Sequence, residues 1–311
     1  MSSGIVIGSR GSKLALTQAE WVRTELARLN PDLEIQIDII RTTGDAKPDP
    51  LSIIGGKGVF TKELEDALLD RRVALAVHSL KDLPTTISDG LTISAICERE
   101  DPRDALVLPN SGSASLTSLA SLKSGAVVGT SSPRRLAQLQ NARPDLTIKE
   151  LRGNVDTRLR KLDEGQYDAL ILAAAGLRRL GLKDRVSFAI PTEQMLPAVG
   201  QGALGLQTRD DNVDVNKVLA RLNHRNTWLS CLAERALLRK LGGGCQLPIA
   251  AHAVVSGEEL ILDGLVSSRD GQTIVRNQVR GSANDAELIG SELAQRLVSD
   301  GALELLERNE S

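Results

Sequence analysis

The chain has 311 residues, of which 41% are hydrophobic and 25% charged, and 38 basic against 40 acidic side chains give a net charge of −2. That length allows two or three domains with separate cores, and the charge balance lacks the basic footprint of a nucleic-acid binder, as the 2% aromatic content lacks platforms for stacking bases. Cys97, Cys231 and Cys245, like His78, His224 and His252, are too scattered for Cys-x-x-Cys or His-x-x-x-His, so neither a disulfide framework nor a metal site is expected.

The start has no basic region followed by a long apolar run, and no later stretch approaches a membrane span, so a cytoplasmic protein without membrane or nucleic-acid partners is expected. An apolar run at 5–7 leads into Gly8-Ser9-Arg10-Gly11-Ser12-Lys13, a polar turn. Ala19, Val22, Leu26 and Leu29 then mark one face of a helix that Asn30-Pro31 ends. Leu33, Ile35, Ile37 and Ile39 alternate with polar residues as a half-buried strand does, which makes a βαβ beginning. Residues 41–58 read as a long polar loop, a functional lid carrying one cation. Lys57 lies between glycines there, but Gly58 follows it where a phosphate loop needs Ser or Thr.

Thr61 opens a helix with Leu64, Ala67 and Leu68 inward, and the strand after it stops at Val77. His78, Ser79, Lys81 and Asp82 follow. Ligands in open α/β sheets gather outside the carboxyl ends of strands, so this stretch is the candidate reaction centre. Asp82 beside Lys81 is the candidate catalytic group, able to accept N–H hydrogen bonds and to stabilise a developing cation.

A strand at 91–97 precedes the charged run 98–103, read as a domain crossing, with Cys97 a core thiol. A strand at 126–128 leads to Gly129-Thr130-Ser131-Ser132-Pro133-Arg134-Arg135, with Ser132 as N-cap and Pro133 at the first helical position. Free N–H groups, hydroxyls and two arginines there make an anion site. The strand at 147–151 is followed by Arg152 and Arg158, and the strand at 170–173 by Arg178 and Arg179. Three strand ends each supply arginine, the side chain that grips carboxylates bidentately, so a small anionic ligand is expected.

Gly200-Gln201-Gly202-Ala203-Leu204-Gly205 matches Gly-x-Gly-x-x-Gly formally, but a proline turn precedes it and a strand, not a helix, follows. It reads as a return to the first domain. From 223 the pattern becomes α+β. Leu229, Leu232 and Ala236 face inward on a helix holding Cys231, read as a packed thiol, and Gly242-Gly243-Gly244 ends it. Cys245 sits behind these glycines, where a large partner can approach its sulfur. Strands at 250–255, 260–266 and 273–279 and a helix through Ile289, Leu293 and Leu297 complete the chain.

Six motifs together, Gly-Ser-Arg-Gly-Ser at 8–12, Gly-Gly-Lys-Gly at 55–58, Val-His-Ser-Leu-Lys-Asp-Leu-Pro at 77–84, Gly-Thr-Ser-Ser-Pro-Arg-Arg at 129–135, Leu-Arg-Gly-Asn-Val-Asp-Thr-Arg at 151–158 and Gly-Gly-Gly-Cys-Gln-Leu-Pro at 242–248, resemble the porphobilinogen deaminases in the same order. The resemblance implies an α/β fold: two periplasmic-binding-protein type II-like domains with a central cleft, plus a small C-terminal α+β domain. The expected boundaries are 1–98 with 201–220, then 103–197, then 222–311. It implies a dipyrromethane cofactor on a thioether to Cys245, to which four porphobilinogen units are joined before water releases hydroxymethylbilane, in a monomeric transferase. Asp82 corresponds to the catalytic aspartate. Lys81, Thr130, Ser131, Ser132, Arg134, Arg135 and Arg158 would hold the cofactor, and Arg10, Ser12, Arg152, Arg179, Lys57 and Phe60 the substrate. One departure is Ile53, where many relatives carry lysine. The rival readings are a non-catalytic carboxylate-binding domain pair, against which Cys245 argues, and a phosphate-binding transferase, for which no magnesium-carboxylate motif is present.

Overall fold

A computed structural model describes residues 4–42, 61–110, 118–244 and 247–310, with side chains to residue 307. The described residues fall into two compact units, one made of 1–99 and 203–228, the other of 100–202 and 229–311.

The first unit starts with strand β1 (Ile5–Ser9), helix α1 (Lys13–Leu29) and strand β2 (Ile35–Ile39). Ser12 caps α1 by accepting from the Ala15 N–H at 3.3 Å, and Asn30 closes it by donating its own N–H to the Leu26 carbonyl at 2.9 Å. Ala19, Val22 and Leu26 are wholly buried, and each Val or Leu buried in this way contributes about 1.5–3 kcal/mol. Helix α2 (Lys62–Leu69) buries Leu64, Ala67 and Leu68 as expected, although the Thr61 side chain makes no capping bond. Strands β3 (Leu75–Ser79) and β4 (Leu91–Ile96) follow. β3 runs two residues past the expected stop because His78 and Ser79 continue its pairing with the returning strand β10 (Leu204–Arg209).

The sheet order is β2-β1-β3-β10-β4, with β1, β2 and β3 parallel and β10 antiparallel to both its neighbours. The Gly-x-Gly-x-x-Gly stretch therefore feeds a strand, and its Gly200 and Gly202 have positive φ in the turn before it. Helix α6 (Val213–Leu219), which has no clear apolar period, was not expected.

The second unit repeats this plan. Its order is β7 (Thr147–Lys149), β6 (Val127–Gly129), β8 (Ala169–Ala173), β5 (Asp104–Val107), β9 (Phe188–Ala189), again three parallel strands with an antiparallel fourth. Helices α3 (Pro133–Ala142), α4 (Val155–Asp163) and α5 (Ala174–Arg179) link these strands. Helix α7 (Arg225–Lys240) leads to an antiparallel sheet of β11 (Ile249–Ser256), β12 (Glu259–Ser267) and β13 (Ile274–Ser282). Helix α8 (Ala286–Ser299) packs its Ile289, Leu293 and Leu297 on that sheet, followed by α9 (Ala302–Glu310). The architecture is thus mixed α/β, with two matching five-stranded sheets and a smaller sheet-and-helix portion.

That smaller portion touches α3 through the β12–β13 turn. Gly271 has φ +71°, and a Cβ there would lie 2.1 Å from the Ala137 carbonyl oxygen, while Asn141 donates to the Gly271 carbonyl at 3.0 Å. Gly271→Ala combines left-handed strain with a backbone overlap, so a loss of about 3 kcal/mol is expected. Calorimetry should read a melting midpoint lowered by roughly 5–10 °C; an unchanged midpoint would mean that the turn can move away freely.

Among the described residues no helix is long and apolar enough to cross a membrane, and no group of His, Cys, Asp or Glu could hold a metal ion. Cys97 and Cys231 are buried, as expected of packed thiols.

Candidate active site

The Asp82 turn is set by what lies beneath it. Leu80 is buried against β10, where Gly205 offers no side chain: a Cβ at Gly205 would come within 2.8 Å of Leu80 Cδ1. The Leu80 N–H donates to the Ala203 carbonyl at 3.0 Å, and a single 3-10 turn, Leu80–Asp82, follows. With Leu80 pinned inward, Lys81 is half-buried and Asp82 exposed. Gln18 of α1 hydrogen-bonds Ser79 at 2.9 Å, fixing the turn from the other side.

Behind the turn a polar chain runs from the buried His78 and Gln207 out to the exposed Ser88. His78 Nε2 meets Gln207 Oε1 at 2.9 Å, Gln207 Nε2 donates to Glu65 Oε1 at 2.8 Å, and Ser88 Oγ donates to Glu65 Oε2 at 2.7 Å. Because the Gln207 amide nitrogen faces Glu65, its oxygen faces His78, which assigns the imidazole proton to Nε2. Burial pushes the His78 pKa down from 6.5 to about 4, against the Gln207 bond, and the Arg10 charge adds to the depression.

The consequence for stability has a definite sign. As pH falls below 6.5 the unfolded histidine takes up a proton that folded His78 refuses until about pH 4, so stability present at neutral pH is lost across this window. The loss is about 3 kcal/mol. Denaturant unfolding at pH 7 and pH 4.5 should show this excess dependence in the parent chain and not in His78→Asn; equal dependence in both would remove His78 as its source.

In the second unit Ser132 is the N-cap of α3, accepting from the Arg135 N–H at 3.4 Å, and Pro133 takes the first turn, as expected. Thr130 Oγ1 accepts from the Ser132 N–H at 3.2 Å. Ser12, Thr130 and Ser132 therefore accept from backbone and keep a hydroxyl proton to donate. Ser131 differs: its Oγ donates to the Leu151 carbonyl and accepts from the Leu151 N–H, so its donor is committed to bridging two loops.

The expected cationic residues are not alike. Arg134 and Arg135 are buried, and both grip Asp104, the first residue of β5. Asp104 Oδ2 accepts from Arg134 Nη1 at 2.7 Å, and Oδ1 accepts from Arg134 Nη2 at 3.3 Å, from Arg135 Nε at 3.0 Å and Nη2 at 2.7 Å, and from Gln201 Nε2 at 2.9 Å. Arg134 Nη1 also donates to the Leu196 carbonyl, and Arg135 Nη1 to that of Ile171. Burial alone would raise the Asp104 pKa, but the two guanidinium groups override it and hold the carboxyl well below the usual carboxylate range.

Arg152 is half-buried and bonds Glu150, and Arg158 Nε donates to the Gly153 carbonyl at 2.7 Å. Arg178 and Arg179 lie in the last turn of α5 and so do not follow β8 directly. Arg178 faces Glu100 and Asp101 at 3.7 and 3.5 Å, and Arg179 Nη2 donates to the Gly202 carbonyl at 2.6 Å. In the first unit Arg10 is half-buried at the end of β1 and near enough to His78 to act on its charge. Lys57, Phe60, Ile53 and Cys245 lie outside the described residues.

Asp104, Gln201, Gln207 and Glu65 were missed from the sequence. A signal for Asp104 existed in the apolar run Ala105-Leu106-Val107-Leu108 behind it, which marks a strand start directly after the charged crossing at 98–103.

Residues 5–217 match the family model described as porphobilinogen deaminase, dipyromethane cofactor binding domain, and residues 228–299 match the porphobilinogen deaminase C-terminal domain. A relative named porphobilinogen deaminase from Synechococcus sp. (strain RCC307) is 54% identical over 306 residues, covering 98% of this chain and 96% of its own. Another of that name from Nostoc sp. (strain PCC 7120 / SAG 25.82 / UTEX 2576) is 52% identical over 303 residues, covering 97% and 93%. Among solved structures, the Lactococcus lactis GlnP substrate binding domain 2 in open conformation is 13% identical, with a TM-score of 0.42 over 76% of this chain and 90% of its own. By two consecutive family models and by identity along nearly its whole length, the chain belongs to the porphobilinogen deaminase family.

Proposed function

We propose that this chain is a transferase that deaminates four porphobilinogen molecules and joins them head to tail on a dipyrromethane primer held by a thioether to Cys245, with water releasing hydroxymethylbilane. The observation that carries this reading is the Asp82 turn: an exposed carboxylate on a rigid mount, beside a half-buried lysine, in a chain of this family. Asp82 accepts the pyrrole N–H of the incoming substrate and stabilises the positive charge that grows as ammonia leaves. The same carboxylate can take up the proton lost when the new carbon–carbon bond is complete.

The donor set fits a multiply carboxylated primer. Within the second unit, hydroxyl protons of Thr130 and Ser132 and two buried guanidinium groups that share one buried carboxylate are an excess of donors and positive charge suited to acetate and propionate groups. When bound, the primer supplies the nucleophilic pyrrole carbon. Arg134, Arg135, Arg158 and Lys81 orient its carboxylates with Thr130 and Ser132, and Ser131 keeps the 131 and 151 loops together. Arg10, Ser12, Arg152 and Arg179, with Lys57 and Phe60 from the 43–60 segment, receive the substrate. Ile53 removes one cation from that segment relative to many relatives.

Three domains, 1–98 with 201–220, 103–197, and 222–311, are the natural division for this task, a reading supported by the three separate sheets. The enzyme acts in the cytoplasm, as the sequence reading expects, and as a monomer, as the family resemblance implies.

The test is the intact mass of the purified full-length chain. A mass excess of two condensed pyrrole units on the peptide containing Cys245 is expected. An unmodified Cys245 that stays unmodified after incubation with porphobilinogen would overturn the proposal.

A further inference from the structure

The Asp104 cluster is odd as a scaffold. A buried ion pair needs one arginine for one carboxylate, because each desolvated charge costs several kcal/mol and is offset only by a close partner. Here one carboxylate serves two guanidinium groups, and among the described residues no second carboxylate pairs with either. The trio therefore carries one uncompensated positive charge.

Its geometry is nevertheless tightly specified. Gln201 Nε2 donates both to Asp104 and to the Pro102 carbonyl, at 2.9 and 2.7 Å, which fixes the rotation of the carboxylate. Each guanidinium spends three N–H bonds on Asp104 and one backbone carbonyl. Five donors per arginine leave others on both planes. Both arginines also sit in the first turn of α3, whose partial positive charge adds to theirs. A cluster that is held rigid and left cationic is suited to receive an anion without rearranging.

We propose that Asp104, held by Gln201, is the positioning residue that sets the planes of the Arg134 and Arg135 guanidinium groups and leaves them one positive charge for a ligand-borne carboxylate to complete. This rests on the reading that the arginine pair receives pyrrole carboxylates. Without the Asp104 charge the two guanidinium groups repel one another and lose their shared anchor, so the receptor exists in several orientations, few of them productive.

The test uses the full chain made in cells that cannot supply porphobilinogen, then follows primer assembly on Cys245 by intact mass as porphobilinogen is added. Asp104→Asn should raise the half-saturating porphobilinogen concentration about tenfold or more. An aspartate that merely supports the fold would lower the fraction of folded molecules, hence the limiting rate, and leave half-saturation alone; that outcome would overturn the proposal. Arg135→Gln separates the two levels. If it and Asp104→Asn both keep the parent half-saturation, the arginine pair does not receive carboxylates; if only Arg135→Gln weakens it, the arginines bind and Asp104 does not position them. Should Asp104→Asn fail to fold, Gln201→Met, which keeps both ion pairs and removes one donor, should raise half-saturation about threefold, and an unchanged value would overturn the proposal.

Discussion

Replacing Asp82 by asparagine is expected to lower turnover about a thousandfold while changing substrate and primer affinity only a fewfold. Asparagine keeps the size of the side chain and still offers an oxygen to a pyrrole N–H, so the ground-state complex loses little. What it lacks is the negative charge. Once a pyrrole covers the turn and excludes water, that charge lies within a few ångströms of the forming cation, where an effective dielectric near 20 makes the attraction worth orders of magnitude in rate. The mount sharpens the expectation, because Leu80 is locked over Gly205 and the turn cannot swing another acid into place. Single-turnover rates with porphobilinogen, measured beside its binding affinity, check the split. A variant turning over within tenfold of the parent would exclude the carboxylate from the chemistry.

Cys245→Ser should abolish primer attachment in a chain that still folds. A thiol is a few per cent thiolate at neutral pH and intrinsically nucleophilic, whereas a serine hydroxyl needs a neighbouring base to attack at all. Its three preceding glycines supply no such base. The purified variant should show the unmodified mass, native circular dichroism and turnover at the detection limit. Full activity in an unmodified Cys245→Ser chain would sink the covalent-primer assignment.

Much of the architecture was legible because it is written locally. Ser132 before Pro133, the apolar spacing of α1, and the proline turn that separates 200–205 from a dinucleotide fingerprint each declare their structure within a few residues. The short strands β5 and β9 escaped because four and two residues are too few for a period to show, and β5 begins with a charge. The site divides in the same way. Asp82 and the arginine turns stand out as polar punctuation after apolar runs. The partners that hold them do not: Gln201 meets Asp104 across 97 residues, Gln207 meets His78 across 129 and Glu65 across 142, and a glutamine in isolation says nothing about which carboxylate it will orient. Sequence pattern also could not separate Ser131, whose proton is committed to Leu151, from Ser132 beside it.

The place of β10 sets an order on biosynthesis. β3 and β4 are not paired with each other; both bond to β10, which is encoded more than a hundred residues later. A ribosome adding about 5–20 residues per second exposes two bare strand edges for roughly ten seconds before the strand that joins them emerges. During that interval β5 to β9, all encoded between, can complete their own sheet. The nascent chain can thus finish its second sheet before its first, and it is the early half, with Asp82 already made at the end of a β3 that has β1 on one side and a bare edge on the other, that needs shielding from other chains until the return strand arrives.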